Sequence, residues 1–237
     1  MKCGPVLPRT PVEREAALAS LSFEEIGRST EGRPIFGRCF GRSAGSASAR
    51  APLLVMGGIH GDEPASVDAL LDLLARLPPA LPAPLWLVPA LNPDGLAVGR
   101  KNSARDVDLN RNFPARSFRT DHQRGYLPGP APLSEPETRA LADLIGREAI
   151  GAALAVHAPF ACVNYDGPAA SWAQAVAHAC GWPAQGDIGY PTPGSFGSWL
   201  GIDRGLPVLT LELPPGPLEG FRAGAAAALD AALIHSP

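Results

Sequence analysis

The chain has four cysteines, Cys3, Cys39, Cys162 and Cys180, and no two of them stand in a C-x-x-C pair. That spacing excludes a zinc ribbon. No stretch of 18 apolar residues exists, so the sequence offers nothing that would span a membrane. The first residues, MKCGPVLPRTPVER, lack an apolar signal core. This points to the cytoplasm, and to free, mostly buried thiols rather than disulfides. There is no long basic run, and the net charge is only −3, so nothing argues for nucleic acid as a partner. No internal repeat and no linker divides the chain, and one domain is expected over residues 1–237. Nothing in the sequence sets an oligomeric state.

Glycine and proline, by contrast, are plentiful, with 26 and 27 residues. That predicts many turns and long ordered loops while staying short of low complexity. Apolar residues make up 46% of the 237, enough for a proper core. Residues 9–20 (RTPVEREAALAS) read as a short lead-in helix and 34–40 (PIFGRCF) as an early strand, followed by a polar loop, GRSAGSASAR. LLVMGG at 53–58 is a short apolar run bounded by glycine, a buried strand. Residues 63–77 carry helical apolar spacing, and LWLVPAL at 85–91 is the next strand.

From Asn92 to Pro132 runs a polar segment too long for a plain connection; loops of that length usually carry function. The pattern SEPE predicts a helix from Ser134 to Arg147, with Ser134 as cap, Pro136 in the first turn and Glu137 completing a capping box. A strand at 153–158 (ALAVHA), a helix at 170–180, a strand at 207–213 (PVLTLEL) and a helix at 219–234 complete the chain. The alternation argues for an α/β fold, a mostly parallel sheet with helices on both faces. Ligands bind such sheets at the carboxyl ends of the strands, and His60, His157 and Glu212 fall at or near such ends.

In GGIHGDEPAS (57–66), His60 and Glu63 are three apart at a strand-to-helix turn. They could converge on one Zn²⁺ if the glycines make the turn tight, or Glu63 could simply begin a helix where negative charge is favoured. His157 ends an apolar strand, either as a hydrogen-bonded core residue or as the third ligand of a His, Glu, His set with an open water position. His122, His178 and His235 read as non-ligands. Glu212, in LTLELP, is a costly buried carboxylate unless paired or functional. It is either a salt-bridge partner to a buried arginine or a general base with a raised pKa. The loop GRKNSARDVDLNRNFP (99–114) holds Arg100, Lys101, Arg105 and Arg111, a solvated charge run or a carboxylate-binding cluster.

These motifs resemble the zinc carboxypeptidase family. The His60–Glu63 pair, GRSTEGRPI (27–35), NPDG (92–95), DLNRNF (108–113) and SEPET (134–138) follow the family's order over residues 25–215. The resemblance implies a zinc-carboxypeptidase-like mixed, mostly parallel sheet with helices on both faces. It also implies one Zn²⁺ held by His60, Glu63 and His157, with Glu212 as catalytic base and then acid. Asn110 and Arg111 would hold the substrate's terminal carboxylate. Arg100 would stabilise the oxyanion, with Arg105 as the alternative. Tyr190 approximates the position of a mobile tyrosine found in digestive members. Asp106 departs from the glycine that related loops often carry. Within the family, the short length and the combination GGIHGDEP, NPDG, VDLNRNFP and TPGSFGSW resemble members acting on murein peptides. The implied substrate is thus a small muropeptide cleaved between γ-D-glutamate and meso-diaminopimelate, with the loop from Asp187 to Leu200 lining the selecting pocket. Two other readings share some of these features: a deacylase of N-acyl amino acids, and a non-catalytic binder of peptidoglycan fragments.

Overall fold

A computed structural model describes residues 9–41, 50–121 and 125–237. Cys3, His122 and the polar loop expected after Phe40 (42–49 in particular) lie outside the described residues. The lead-in helix, α1 (Pro11–Ala19), starts at a complete capping box. Thr10 Oγ1 accepts from the Glu13 N–H at 3.2 Å, and Glu13 Oε2 accepts from the Thr10 N–H at 2.7 Å. Two orphan amides of the first turn are thereby satisfied. A hairpin follows, β1 (Glu24–Arg28) and β2 (Pro34–Phe40), closed by the Ser29–Arg33 turn. Then come β3 (Leu53–Met56), α2 (Pro64–Leu74), β4 (Leu85–Val88) and α3 (Pro93–Val98). After the long segment come α4 (Pro136–Arg147), β5 (Ala152–His157), β6 (Cys162–Asp166), α5 (Ala170–Cys180), β7 (Ala184–Gln185), β8 (Val208–Glu212) and α6 (Arg222–Ile234).

All eight strands form one sheet in the order β1-β2-β4-β3-β5-β8-β6-β7. The central four, β4, β3, β5 and β8, are mutually parallel, whereas β2 and β6 join them antiparallel. The sheet is therefore mixed and mostly parallel, as expected. Strand β3 shows why its sequence is a continuous apolar run: both faces are covered. Leu53 and Val55 pack with Leu70 and Leu73 of α2, Trp172 of α5 and Leu229 of α6. Leu54 and Met56 face the other way, toward Leu141 and Leu144 of α4 and toward Phe113, Phe196 and Trp199. So α2, α5 and α6 cover one face, while α4 shares the second with irregular chain. Phe113 stacks on Trp199 with centroids 5.5 Å apart and meets Phe196 edge-on at 5.3 Å.

The described part of the long segment is held by side-chain hydrogen bonds. Asn92 caps α3, accepting the Gly95 N–H at 2.9 Å. Asn112, fully buried, is a hub: its amide donates to Pro128 O, Ala131 O and Ser134 Oγ, and its Oδ1 accepts from Thr138 Oγ1 and the Glu135 N–H. This network overturns the cap expected for α4. Glu135, not Ser134, occupies the N-cap, and no side chain caps the helix. Ser134 Oγ is engaged by Asn112 and Glu135 instead, and Glu137 reaches away to accept the Thr30 N–H at 2.9 Å. At Asp106 the backbone is left-handed, with φ of 63°, a conformation that Asp tolerates better than most residues. Asn102 holds it there through two 3.0 Å bonds to Asp106 O and Oδ1.

Candidate active site

Parallel strands place their carboxyl ends on one edge, and that is where the candidate residues meet. His157 and Glu212 are the last residues of β5 and β8 and sit side by side in register. His60 and Glu63 come from the turn after β3, which must leave the strand and start α2 within a few residues. Gly58 turns with φ of +60°, and Gly61 packs so closely on the start of α3 that a Cβ there would lie 2.0 Å from the Gly95 carbonyl carbon. Only glycine fits that approach, and the turn brings both side chains inward. Glu63 Oε1 lies 2.7 Å from His60 Nδ1, and its Oε2 lies 3.1 Å from His157 Nδ1 and 3.2 Å from the Ala158 N–H.

The candidate ligand atoms of His60, Glu63 and His157 lie within 4.8 Å of one another. Two imidazole nitrogens and one carboxylate oxygen, converging and largely buried, suit Zn²⁺ in a site that keeps a fourth position for water. His178 and His235 are exposed and lie on other parts of the fold. Behind His60 stands Asp108, fully buried, its Oδ1 3.2 Å from His60 Nε2. A carboxylate on the outer nitrogen fixes the tautomer and the ring orientation of a histidine ligand. Asp108 Oδ2 also forms an ion pair with Lys101 Nζ at 2.9 Å.

The electrostatics follow from this packing. Burial disfavours the His60 cation, but Glu63 and Asp108 outweigh it and hold the imidazole at about 9. Burial likewise pushes Glu63 up, and the two imidazoles outweigh it, bringing the carboxyl to about 2. Glu212 differs. Burial raises its carboxyl above the ordinary value, opposed in part by His157. The expectation of a structural pairing with a buried arginine is not met: Glu212 has no ion pair, and its Oε2 is buried without a hydrogen-bond partner among the described residues. A basic carboxylate oxygen left unsatisfied at a cleft suits a proton acceptor.

These residues line a cleft of about 680 Å³. Asn110, Arg111 and Tyr190 line it too. Arg111 is buried, donates from Nη1 to Asn110 O at 2.7 Å, and its guanidinium lies 5.2 Å from the centre of the Tyr126 ring. Asn110 Oδ1 accepts the Phe196 N–H at 3.0 Å, which leaves its amide group to donate. Tyr190 meets Arg111 and stands at the cleft mouth between the rings of Tyr126 and Phe160. The loop expected to line the selecting pocket, Asp187 to Leu200, contributes Asp187, Thr192 and Ser198 to the wall.

Two expectations are corrected. Arg100 and Arg105 are not brought to the cleft. Arg100 is exposed and donates to Ser103 O at 3.0 Å, and Arg105 faces Glu135 at 4.0 Å. The wall instead receives Lys101, their neighbour, and Arg119. Sequence reasoning also passed over Asp108, Asn164, Asp166 and Thr210. Asp108 stands inside a motif already quoted, two residues before Asn110. The other three lie on β6 and β8 and carry no signal of their own.

The chain belongs to the zinc carboxypeptidase family, whose pattern matches residues 15–171. Its relatives include murein peptide amidase A of Escherichia coli (strain K12), 36% identical over 204 residues and 81% of each chain. Murein peptide amidase A of Vibrio campbellii is 34% identical over 224 residues, covering 89% of this chain and 85% of the relative. Among solved structures, the murein-tripeptide amidase of Escherichia coli O157 matches with a TM-score of 0.74 at 34% identity over 97% of both chains. Bovine thrombin-activatable fibrinolysis inhibitor matches with a TM-score of 0.74 over 97% of both chains, at 19% identity, a likeness of fold alone.

Proposed function

We propose that this chain is a zinc-dependent amidase of murein peptides that hydrolyses the γ-D-glutamyl–meso-diaminopimelate bond during peptidoglycan recycling. The carrying observation is the convergence of His60, Glu63 and His157 beside Glu212, whose Oε2 has no hydrogen-bond partner among the described residues, in a cleft that also holds Asn110 and Arg111. The relatives named murein peptide amidase A supply the substrate class. A cytoplasmic location belongs to this proposal. Cys162 and Cys180 are free thiols, which suits a reducing compartment, and no helix among the described residues is long and apolar enough to cross a membrane.

His60, Glu63 and His157 hold the metal in this reading. Zinc there supplies Lewis acidity toward the scissile carbonyl and a water whose pKa falls toward about 7. Glu212 takes the proton of the attacking water at Oε2 and returns it to the leaving amine nitrogen. Burial makes that carboxylate more basic than an exposed one. Asn110 and Arg111 bind the terminal carboxylate, and the Arg111 fork fixes its plane. Tyr190 orients Arg111 through their side-chain contact. The contribution of these three is positional: the scissile bond is held in line for attack.

The test is product identification. Zinc-loaded protein incubated with L-Ala-γ-D-Glu-meso-diaminopimelate should yield L-Ala-D-Glu and free meso-diaminopimelate by mass spectrometry. An intact tripeptide in the presence of zinc-loaded protein would defeat the proposal.

A further inference from the structure

Three acids lining the cleft, Asp62, Asp166 and Asp187, have no part in the chemistry above; Asp62 and Asp187 are exposed, and Asp166 is not. Asp166 ends β6 and lines the same cleft as the metal ligands. It is half-buried, and neither an ion pair nor a hydrogen bond engages its carboxylate among the described residues. Burial alone holds its carboxyl above the ordinary range, with no partner pulling the other way. Among the described residues, the lysine and arginines of the cleft wall are committed elsewhere. Lys101 pairs with Asp108, Arg111 binds Asn110 O, and Arg119 faces Asp121.

The chain also keeps room for this carboxylate. The π-helical turn Gly197–Asp203 packs against it through two glycines. A Cβ on Gly197 would stand 2.1 Å from Asp166 Oδ2, and one on Gly201 would stand 2.5 Å from Asp166 Cβ. Glycine is unfavourable inside a helix, and π turns recur at functional sites. Around the acid the wall is neutral and hydrogen-bonding: Asn164, Ser198 and Thr210. A half-buried carboxylate without a protein cation calls for a cation from the ligand. The cleft thus has two poles, Arg111 with Asn110 for a carboxylate and Asp166 for an amine.

We infer that Asp166 is a specificity-determining residue that binds the ammonium group at the far end of the terminal residue's side chain, so that the cleft selects a diamino acid. This rests on the proposed function and names the group on the substrate that the cleft reads.

The experiment compares two tripeptides, L-Ala-γ-D-Glu-meso-diaminopimelate and the same peptide ending in L-2-aminopimelate, which keeps the far carboxylate and lacks the far amine. Zinc-loaded wild type should favour the diamino substrate by about tenfold in kcat/KM, the worth of one charge-assisted bond. In Asp166→Asn that preference should vanish, mainly through a higher KM for the diamino substrate, with zinc content unchanged. A wild type that treats both peptides alike, or an Asp166→Asn protein that keeps the preference, overturns the inference. If wild type cleaves neither peptide, the proposed function falls. The inference is then read by calorimetry with the free amino acids: meso-diaminopimelate should bind more tightly than 2-aminopimelate in wild type and not in Asp166→Asn. Equal binding in wild type overturns it.

Discussion

Asp108 shows how a single side chain ties two distant motifs together. It lies 48 positions from His60, yet its buried carboxylate meets the imidazole at 3.2 Å. The same oxygen, Oδ1, accepts the Asn110 N–H at 2.9 Å, so one residue positions both His60 and the turn that carries Asn110 and Arg111. Replacing Asp108 with Asn is expected to weaken zinc binding about 10- to 100-fold, the usual worth of an outer partner to a histidine ligand. Competition with a chromophoric chelator measures it, and unchanged affinity would show that His60 needs no such support. At this scale the sequence was informative where a residue type is rare in its surroundings. A histidine and a glutamate closing apolar strands stand out, and so does a histidine among glycines. Arg100 and Lys101 were indistinguishable in the sequence, since which of two adjacent charges turns inward depends on the local backbone. The loop turns Lys101 toward Asp108 and Arg100 toward the Ser103 carbonyl.

At the level of elements, the capping box read in the sequence at Ser134 and Glu137 does not form, whereas one that was not read there closes the start of α1. Thr10 and Glu13 form the box, while Ser134 and Glu137 are drawn into tertiary bonds. Propensity for a local bond loses when a buried partner offers a better one. Glu137 illustrates the consequence for stability. Its side chain is buried against the Thr30 N–H, with Glu135 and Asp94 nearby. Burial foremost raises its carboxyl above the usual value. A raised folded-state value means that the stabilising contribution is complete below the unfolded value of about 4.3 and is lost as pH rises through the folded one. Glu137→Gln should therefore gain stability relative to wild type between pH 4 and pH 7. Urea unfolding of the metal-free proteins at both pH values checks this, and a difference independent of pH contradicts it. Asn112 belongs to the same network. Its replacement by Ala strands several buried groups and should cost about 2–4 kcal/mol, read from the same titrations. Strands β1, β6 and β7 were less legible than the central ones because they are short, polar on one side, and defined by pairing rather than by apolar runs.

Across the whole molecule, the order of the sheet was the least accessible feature. Alternating elements foretold parallel central strands, but not that β6 would insert antiparallel between β8 and β7. That insertion matters, because it places Cys162 opposite Glu212 and carries Asp166 to the cleft. The site joins turns and strand ends from residues 60 to 212, so a metal bound there couples to global folding. At free zinc about 1,000 times its dissociation constant, stability should rise by about 4 kcal/mol. For a chain of this size that is roughly a 10 °C increase in Tm, reversible by a chelator and absent in His157→Ala. A Tm indifferent to zinc would place the metal outside the folded site.

The most direct measurement combines metal content and turnover in one sample of the Glu212→Gln protein. The ligands His60, Glu63 and His157 are untouched, so zinc should bind at one equivalent per chain. Hydrolysis of L-Ala-γ-D-Glu-meso-diaminopimelate should fall by about 10²- to 10⁴-fold, the contribution of a positioned general base. Full hydrolysis by a zinc-loaded Glu212→Gln protein would contradict the assignment of Glu212 as the proton acceptor.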